Sequence, residues 1–168
     1  MRDFSIRRAR VGDEQTIYNL LRDFAEYEFR LDEYHLTADI VRRDMLGANP
    51  KLSVALAFVD DEPAGIANWY WTYSSFAARQ GLFIEDIYVQ PAFRKRGLGR
   101  AFFSFLSAEA LREGAARVDW MVLDWNEKAM EFYKRMGSRM VAEWITFRLE
   151  GEALQTLAKT GPALKALA

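Results

Sequence analysis

Apolar positions recur along this chain with two periods. FSIRRA (4–9) alternates and predicts a short strand. Ala9-Arg10-Val11-Gly12-Asp13 turns into a helix with Asp13 as its expected cap. Ile17, Leu20, Leu21, Phe24 and Ala25 then follow helical spacing to about Glu28. A short helix over Thr37–Leu46 has Thr37 to open it and Gly47 to close it. LSVALAFVDDEPAGIANWYWTY (52–73) predicts a hairpin joined at Asp60-Asp61-Glu62-Pro63. LFIEDIYV (82–89) is apolar almost throughout, as a strand covered on both faces would be. A helix over Leu98–Glu113 has an apolar face of Phe102, Phe103, Phe105, Leu106 and Ala110, and Gly114 ends it. The pattern continues with a strand (Arg117–Leu123), a helix (Asn126–Met136), a last strand (Glu143–Leu149) and a weak helix (Glu152–Ala158) before an alanine-rich end. The predicted order is β-α-α-β-β-β-α-β-α-β, an α/β chain whose sheet is mixed: hairpin strands first, helical crossovers later.

Composition narrows the chemistry. At 168 residues one domain is expected, large enough to bury about two-thirds of its unfolded surface. The net charge of −1 predicts no general affinity for nucleic acid or acidic membranes, so a basic site must be local. With no cysteine, thiolate catalysis and cysteine-ligated metals are excluded, and a single histidine (His35) rules out a histidine-rich metal site, so no metal is expected. His35 reads as a surface or pocket-lining residue rather than a catalyst. The charged start MRDFSIRRAR does not resemble a signal peptide, and no apolar run approaches the roughly 20 residues of a membrane span, so a cytoplasmic location is expected.

Between a strand and a helix stands Arg94-Lys95-Arg96-Gly97-Leu98-Gly99-Arg100. A helix start offers unpaired N–H groups and the positive end of the macrodipole, and glycines let an oxygen cluster approach the backbone. That combination suits a pyrophosphate; a surface-charged turn is the plainer alternative. A P-loop would need Lys and Ser/Thr where Arg100-Ala101 stand, and a dinucleotide fingerprint a small residue where Phe102 stands.

These residues, in this strand–loop–helix context, resemble the central motif of the GNAT acetyltransferases, Arg/Gln-x-x-Gly-x-Gly/Ala. The resemblance covers essentially the whole chain. It implies a GNAT-like fold over residues 1–168 as a single domain, a mixed, mostly antiparallel central sheet flanked by helices on both faces. It implies acetyl-CoA as cosubstrate, its pyrophosphate on the 94–100 loop and its pantetheine arm along Ile87, Tyr88 and Val89, with Asn126 also touching that arm.

Glu85 and Asp86 interrupt the apolar strand, and burial of an unpaired carboxylate is costly. Alternation puts them on opposite faces. Each could simply pair with an arginine or a backbone group; equally, a carboxylate beside a thioester could take the proton an ammonium must lose before it attacks. VLDWNEKAMEFYKRMG (122–137) carries Phe132-Tyr133 on a face that could be core, yet a phenol could protonate a departing thiolate. Resemblance to the spermidine/spermine and, more closely, the thialysine N-epsilon branch of the family assigns the base to Glu85 and the acid to Tyr133. It runs through Ala25-Glu26-Tyr27-Glu28, Phe83-Ile84-Glu85-Asp86, Val122–Asn126 and Gly151-Glu152-Ala153.

DFAEYEFRLDEY (23–34) mixes acids with aromatics. A solvated helix end explains this as well as an amine site does, where carboxylates and ring faces would attract a cation. The resemblance places Tyr27, Glu28, Glu143 and Trp144, with Glu85, around the acceptor. The chain is shorter at Ala142-Glu143-Trp144 than that branch, which implies a thinner acidic wall and leaves small amines open. The expected activity is acetyl transfer from acetyl-CoA to a small-molecule primary amine (a thialysine-like amino acid, a diamine or a polyamine). Alternatives are a protein amino group as acceptor, or a non-catalytic acyl-CoA-binding module. A homodimer is the expected assembly, with neither nucleic acid nor membrane as partner.

Overall fold

The computed structural model describes residues 4–161. Elements follow in the order β1 (Phe4–Arg8), α1 (Glu14–Tyr27), α2 (Ala38–Asp44), β2 (Ser53–Val59), β3 (Glu62–Ser74), β4 (Arg79–Val89), α3 (Leu98–Arg112), β5 (Val118–Trp120), α4 (Glu127–Arg135) and α5 (Gly151–Thr160). Single 3-10 turns lie at Leu31–Glu33 and Pro91–Phe93. The chain forms two compact units, Met1–Glu127 and Lys128–Ala168.

The first unit holds a five-stranded sheet in sequence order, antiparallel from β1 to β4 and parallel between β4 and β5. The parallel pair needs a crossover, and α3 supplies it. The β2–β3 turn is tighter than expected: Asp60 and Asp61 alone make it, at φ 49° and 64°, left-handed values suited to a two-residue hairpin. Glu62 already belongs to β3, and Pro63 sits at a register irregularity, where a missing N–H does least harm.

Adjacent residues of β3 serve opposite faces. Ile66 joins Ile17, Leu20, Leu21, Val41, Met45, Val54 and Leu56 in a core beneath α1 and α2. On the other face Ala55, Ala57, Gly65 and Ala67 keep the sheet thin. The rings of α3 settle there: a Cβ on Gly65 would meet Tyr88 O at 2.6 Å and the Phe102 ring at 3.1 Å. Phe105 meets Trp69 edge-on at 6.1 Å and Phe103 meets Trp120 at 4.8 Å. Thr37 caps α2, its Oγ1 accepting from Ile40 N–H at 3.2 Å. Asp13 does not cap α1. Its carboxylate accepts two N–H bonds from the Arg7 guanidinium at 2.7 and 2.8 Å, and one from Arg10 N–H, so it ties β1 to the turn instead.

Three strand expectations change. β5 covers only Val118–Trp120 of the expected 117–123, because its pairing with β4 ends at Ile84↔Trp120. β4 is not covered evenly on both faces, because a bulge breaks it: Asn68 pairs with Asp86 and Trp69 with Ile84, so Glu85 opposes no residue. The last strand over Glu143–Leu149 does not form, and among the described residues the sheet contains none after Trp120. Strand patterning alone cannot hold an extended segment without a ladder partner.

In the second unit α4 stops at Gly137, where φ is 94°. Residues 138–150 carry no helix or strand, and Trp144, Ile145 and Phe147 are 80%, 80% and 92% exposed. α5 begins at Gly151 and runs two residues past the expected Ala158. The alanine-rich end from residue 162 lies outside the described residues.

Candidate active site

β4 organises the site because it leaves one partner before it ends. Gln90 N–H donates to Ala64 O at 3.0 Å, so Tyr88 and Gln90 turn toward β3 while Ile87 and Val89 turn their N–H and C=O groups outward. β5 stops opposite Ile84, and among the described residues no strand pairs with that outward edge beyond it. An extended ligand could add to it as a strand would.

The Pro91–Phe93 turn then leads into the basic loop. Lys95 holds φ 63°, Gly97 holds φ 89°, and Gly97 occupies the N-cap of α3, where no side chain caps the helix. The first-turn N–H groups of a fifteen-residue helix are thereby offered outward at the positive end of its dipole. Leu98 anchors the turn in the core, while Arg94, Lys95, Arg96 and Arg100 are exposed around it. This geometry suits phosphate oxygens. Arg94 is turned differently: its Nε donates to Val89 O at 2.9 Å, and its guanidinium stacks 4.7 Å from the Tyr27 ring and 5.7 Å from Tyr88. Arg96 lies over Phe93 at 5.7 Å.

The acidic pair divides. The bulge cancels strict alternation, so the expected assignment of Glu85 and Asp86 to opposite faces gives way to a different split. Glu85 is exposed; Asp86 is part-buried and bound to Asn68, whose Nδ2 donates to Asp86 Oδ2 at 2.8 Å. Burial pushes the Asp86 carboxyl above its ordinary range, against the Asn68 hydrogen bond, and the Glu85 charge adds to the rise. Glu28, the C-cap of α1, is raised first by burial and then by Asp86.

Around these carboxylates stand aromatic rings. Tyr27 lies 6.3 Å from Tyr88 and 6.4 Å from Trp125, and Phe24 lies 5.6 Å from Tyr88. Tyr34, whose hydroxyl donates to Tyr18 O at 2.8 Å, is raised by burial and feels the Asp86 charge as well. The structure thus brings Tyr27, Glu28, Tyr88 and Asp86 together at the outward end of β4. Burial holds back the ionisation of both carboxyls, and the Asp86 charge adds to it at Glu28, so a cation placed beside them is favoured.

Asn126 precedes α4, its N–H donating to Leu123 O at 2.9 Å. In the second unit, Tyr133 lies on α4 with its ring 5.6 Å from Phe132, Glu143 pairs with Arg139 at 3.7 Å, and Trp144 is exposed. His35 is exposed in the segment before α2. Two participants went unrecognised in the sequence. Trp125 stands out in the sequence only as part of a motif. Asn68 gave a usable signal, since it is the one polar residue in an apolar stretch of β3 from Ala64 to Trp69.

Comparison with known proteins agrees with this geometry. The family model described as "Acetyltransferase (GNAT) family" matches residues 14–138. The chain is 35% identical to the thialysine N-epsilon-acetyltransferase of Sus scrofa over 164 residues, covering 91% of this chain and 96% of that one. It is 40% identical to the L-ornithine N5-acetyltransferase NATA1 of Arabidopsis thaliana over 96 residues, 57% of this chain and 42% of that one. In fold it is similar to an integron cassette protein from the mobile metagenome of V. cholerae, with a TM-score of 0.81 and 21% identity over 94% of this chain and 99% of that one. A basic helix start, an unpaired strand edge and an amine-suited cluster therefore have a common explanation: the chain belongs to the GNAT acetyltransferase family, acyltransferases that use acetyl-CoA.

Proposed function

We propose that this enzyme transfers the acetyl group of acetyl-CoA to the primary amine of a small molecule: a thialysine-like amino acid, a diamine or a polyamine. The observation that carries the reading is the cluster of Tyr27, Glu28, Tyr88 and Asp86 beside the open edge of β4. Carboxylates among ring faces attract an ammonium by charge and by cation–π contact. The names of the pig and Arabidopsis relatives, each an acetyltransferase for a nitrogen of a small amino acid, support the same class.

In this reading residues 1–168 work as one acetyltransferase domain. The pyrophosphate rests on the residue 94–100 loop, and the pantetheine arm follows Ile87, Tyr88 and Val89, with Asn126 as a further contact. Glu85 takes a proton from the ammonium, directly or through water, and the freed lone pair attacks the thioester carbon. The outward N–H of Ile87 donates to the tetrahedral oxyanion. The C–S bond then breaks, and Tyr133 donates its proton to the departing thiolate. The surplus proton on the new amide nitrogen passes to the phenolate through solvent, leaving neutral amide, free thiol and Tyr133 reprotonated. Glu143 and Trp144 join Tyr27 and Glu28 as contacts for the amine. The enzyme works as a homodimer, and the exposed Trp144, Ile145 and Phe147 support that assembly.

Thiol release from acetyl-CoA across thialysine, L-ornithine, lysine, putrescine, spermidine and a lysine peptide tests the acceptor. A small amine should give the highest kcat/KM. Turnover with the peptide alone would replace this reading with protein acetylation.

A further inference from the structure

Asn68 is completely buried in the middle of β3, between Ala67 and Trp69, which are buried as fully. Its amide is spent on a single neighbour. Nδ2 donates to Asp86 Oδ2 at 2.8 Å, and Oδ1 accepts from Asp86 N–H at 2.9 Å. One side chain therefore holds both the carboxylate and the backbone of Asp86, beside the bulge at Glu85. The second carboxylate oxygen of Asp86 accepts no hydrogen bond from the described residues.

We propose that Asn68 is a positioning residue of the acceptor site: it fixes one oxygen of Asp86 and leaves the other turned to the substrate's ammonium, making Asp86 the direct charge partner of the amine. The inference rests on the small-amine reading and leaves the base role of Glu85 untouched. Satisfying the N–H of Asp86 would need only an acceptor at position 68. The donor half of the amide acts on the carboxylate, and that half is what a purely structural role would not use.

The groups around Asp86 fix the direction of the pH effect. Glu85 stands on its own strand, Glu28 at the end of α1, and Tyr34 in the segment before α2. The cations in reach act on those neighbours: Arg30 on Glu28, Arg22 on Tyr34, and Arg94 on Tyr88. A donor bond favours the ionised carboxylate, so its loss makes Asp86 hold its proton to higher pH.

Asn68→Leu, Asp86→Asn and the double variant, assayed with thialysine from pH 5 to 9 and melted thermally, decide the matter. Asn68→Leu should raise the thialysine KM about tenfold at pH 7, the effect of one lost hydrogen bond to a charged group. The acid limb of kcat/KM for the amine should move up by about one pH unit, while the KM for acetyl-CoA changes less than about twofold. Asp86→Asn should weaken the amine at least as much, and the double variant should be no worse than Asp86→Asn alone. A lower melting temperature with the amine KM and acid limb unmoved would reduce Asn68 to a structural residue. Should Asn68→Leu not fold, the near-isosteric Asp86→Asn still decides: unchanged kcat/KM for thialysine refutes the proposal. If the wild-type enzyme turned over no small amine, the underlying reading and this inference would fall together; an active wild type with an indifferent Asp86→Asn would sink this inference alone.

Discussion

Glu85 and Asp86 are neighbours in sequence with different surroundings, and each predicts its own experiment. The exposed Glu85 has no core contact to lose, so Glu85→Gln should leave thermal stability within about 0.5 kcal/mol of wild type. Its kcat/KM for the amine should fall by about a hundredfold near neutral pH, the scale of a lost general base. Tyr133→Phe should lower kcat by a similar factor with little change in either KM, because a proton delivered to the thiolate matters only once the C–S bond is breaking. Full turnover by both variants at pH 7 would remove the assigned roles. The sequence marked the acidic pair because charge in an apolar strand demands a reason. It could not apportion the pair, since strict alternation presumes an unbroken ladder and the extra residue in β4 breaks it. Asn68 carried the same mark, a polar residue in an apolar run, but its purpose becomes visible only once β3 and β4 are paired.

Helices were more legible than strands, for a physical reason. α1, α2 and α3 announce themselves by local spacing and local punctuation, and each stands within two residues of its expected limits. A strand depends on a partner distant in sequence. Arg117–Leu123 and Glu143–Leu149 have the composition of strands, yet only Val118–Trp120 finds one. The loop at the start of α3 was legible because glycine is demanded there by backbone geometry. A side chain on Gly97 would meet no atom within 4 Å, so its cost is conformational. Gly97→Ala should destabilise the fold by about 1 kcal/mol and raise the KM for acetyl-CoA several-fold, measurable by denaturant titration and steady-state kinetics. The Arg7–Asp13 pair, which joins β1 to the turn before α1, predicts a pH effect. The Arg7 hydrogen bonds hold the Asp13 carboxyl below its ordinary range. A depressed carboxyl contributes stability above its unfolded pKa and loses it as pH falls through the folded value. The melting-temperature gap between wild type and Arg7→Met should therefore be full at neutral pH and shrink below about pH 4.

For the molecule as a whole, the proposed dimer is checked by sedimentation equilibrium. Wild type should sediment at twice the chain mass, and Phe147→Asp should shift it toward the monomer. An unchanged mass for that variant would leave the exposed segment without the proposed role. The bulge at Glu85 separates what the fold needs from what the reaction needs. Glu85 is exposed and opposes no residue, and the ladder on either side of it pairs Asn68 with Asp86 and Trp69 with Ile84. Removing residue 85 would make Ile84 and Asp86 consecutive and leave those partners in regular register. A variant lacking Glu85 should therefore still fold, as its melting curve would show, while its turnover of a small amine should be lost with the base. The extra residue is then a loan from the ladder to the chemistry, kept by selection for the reaction alone.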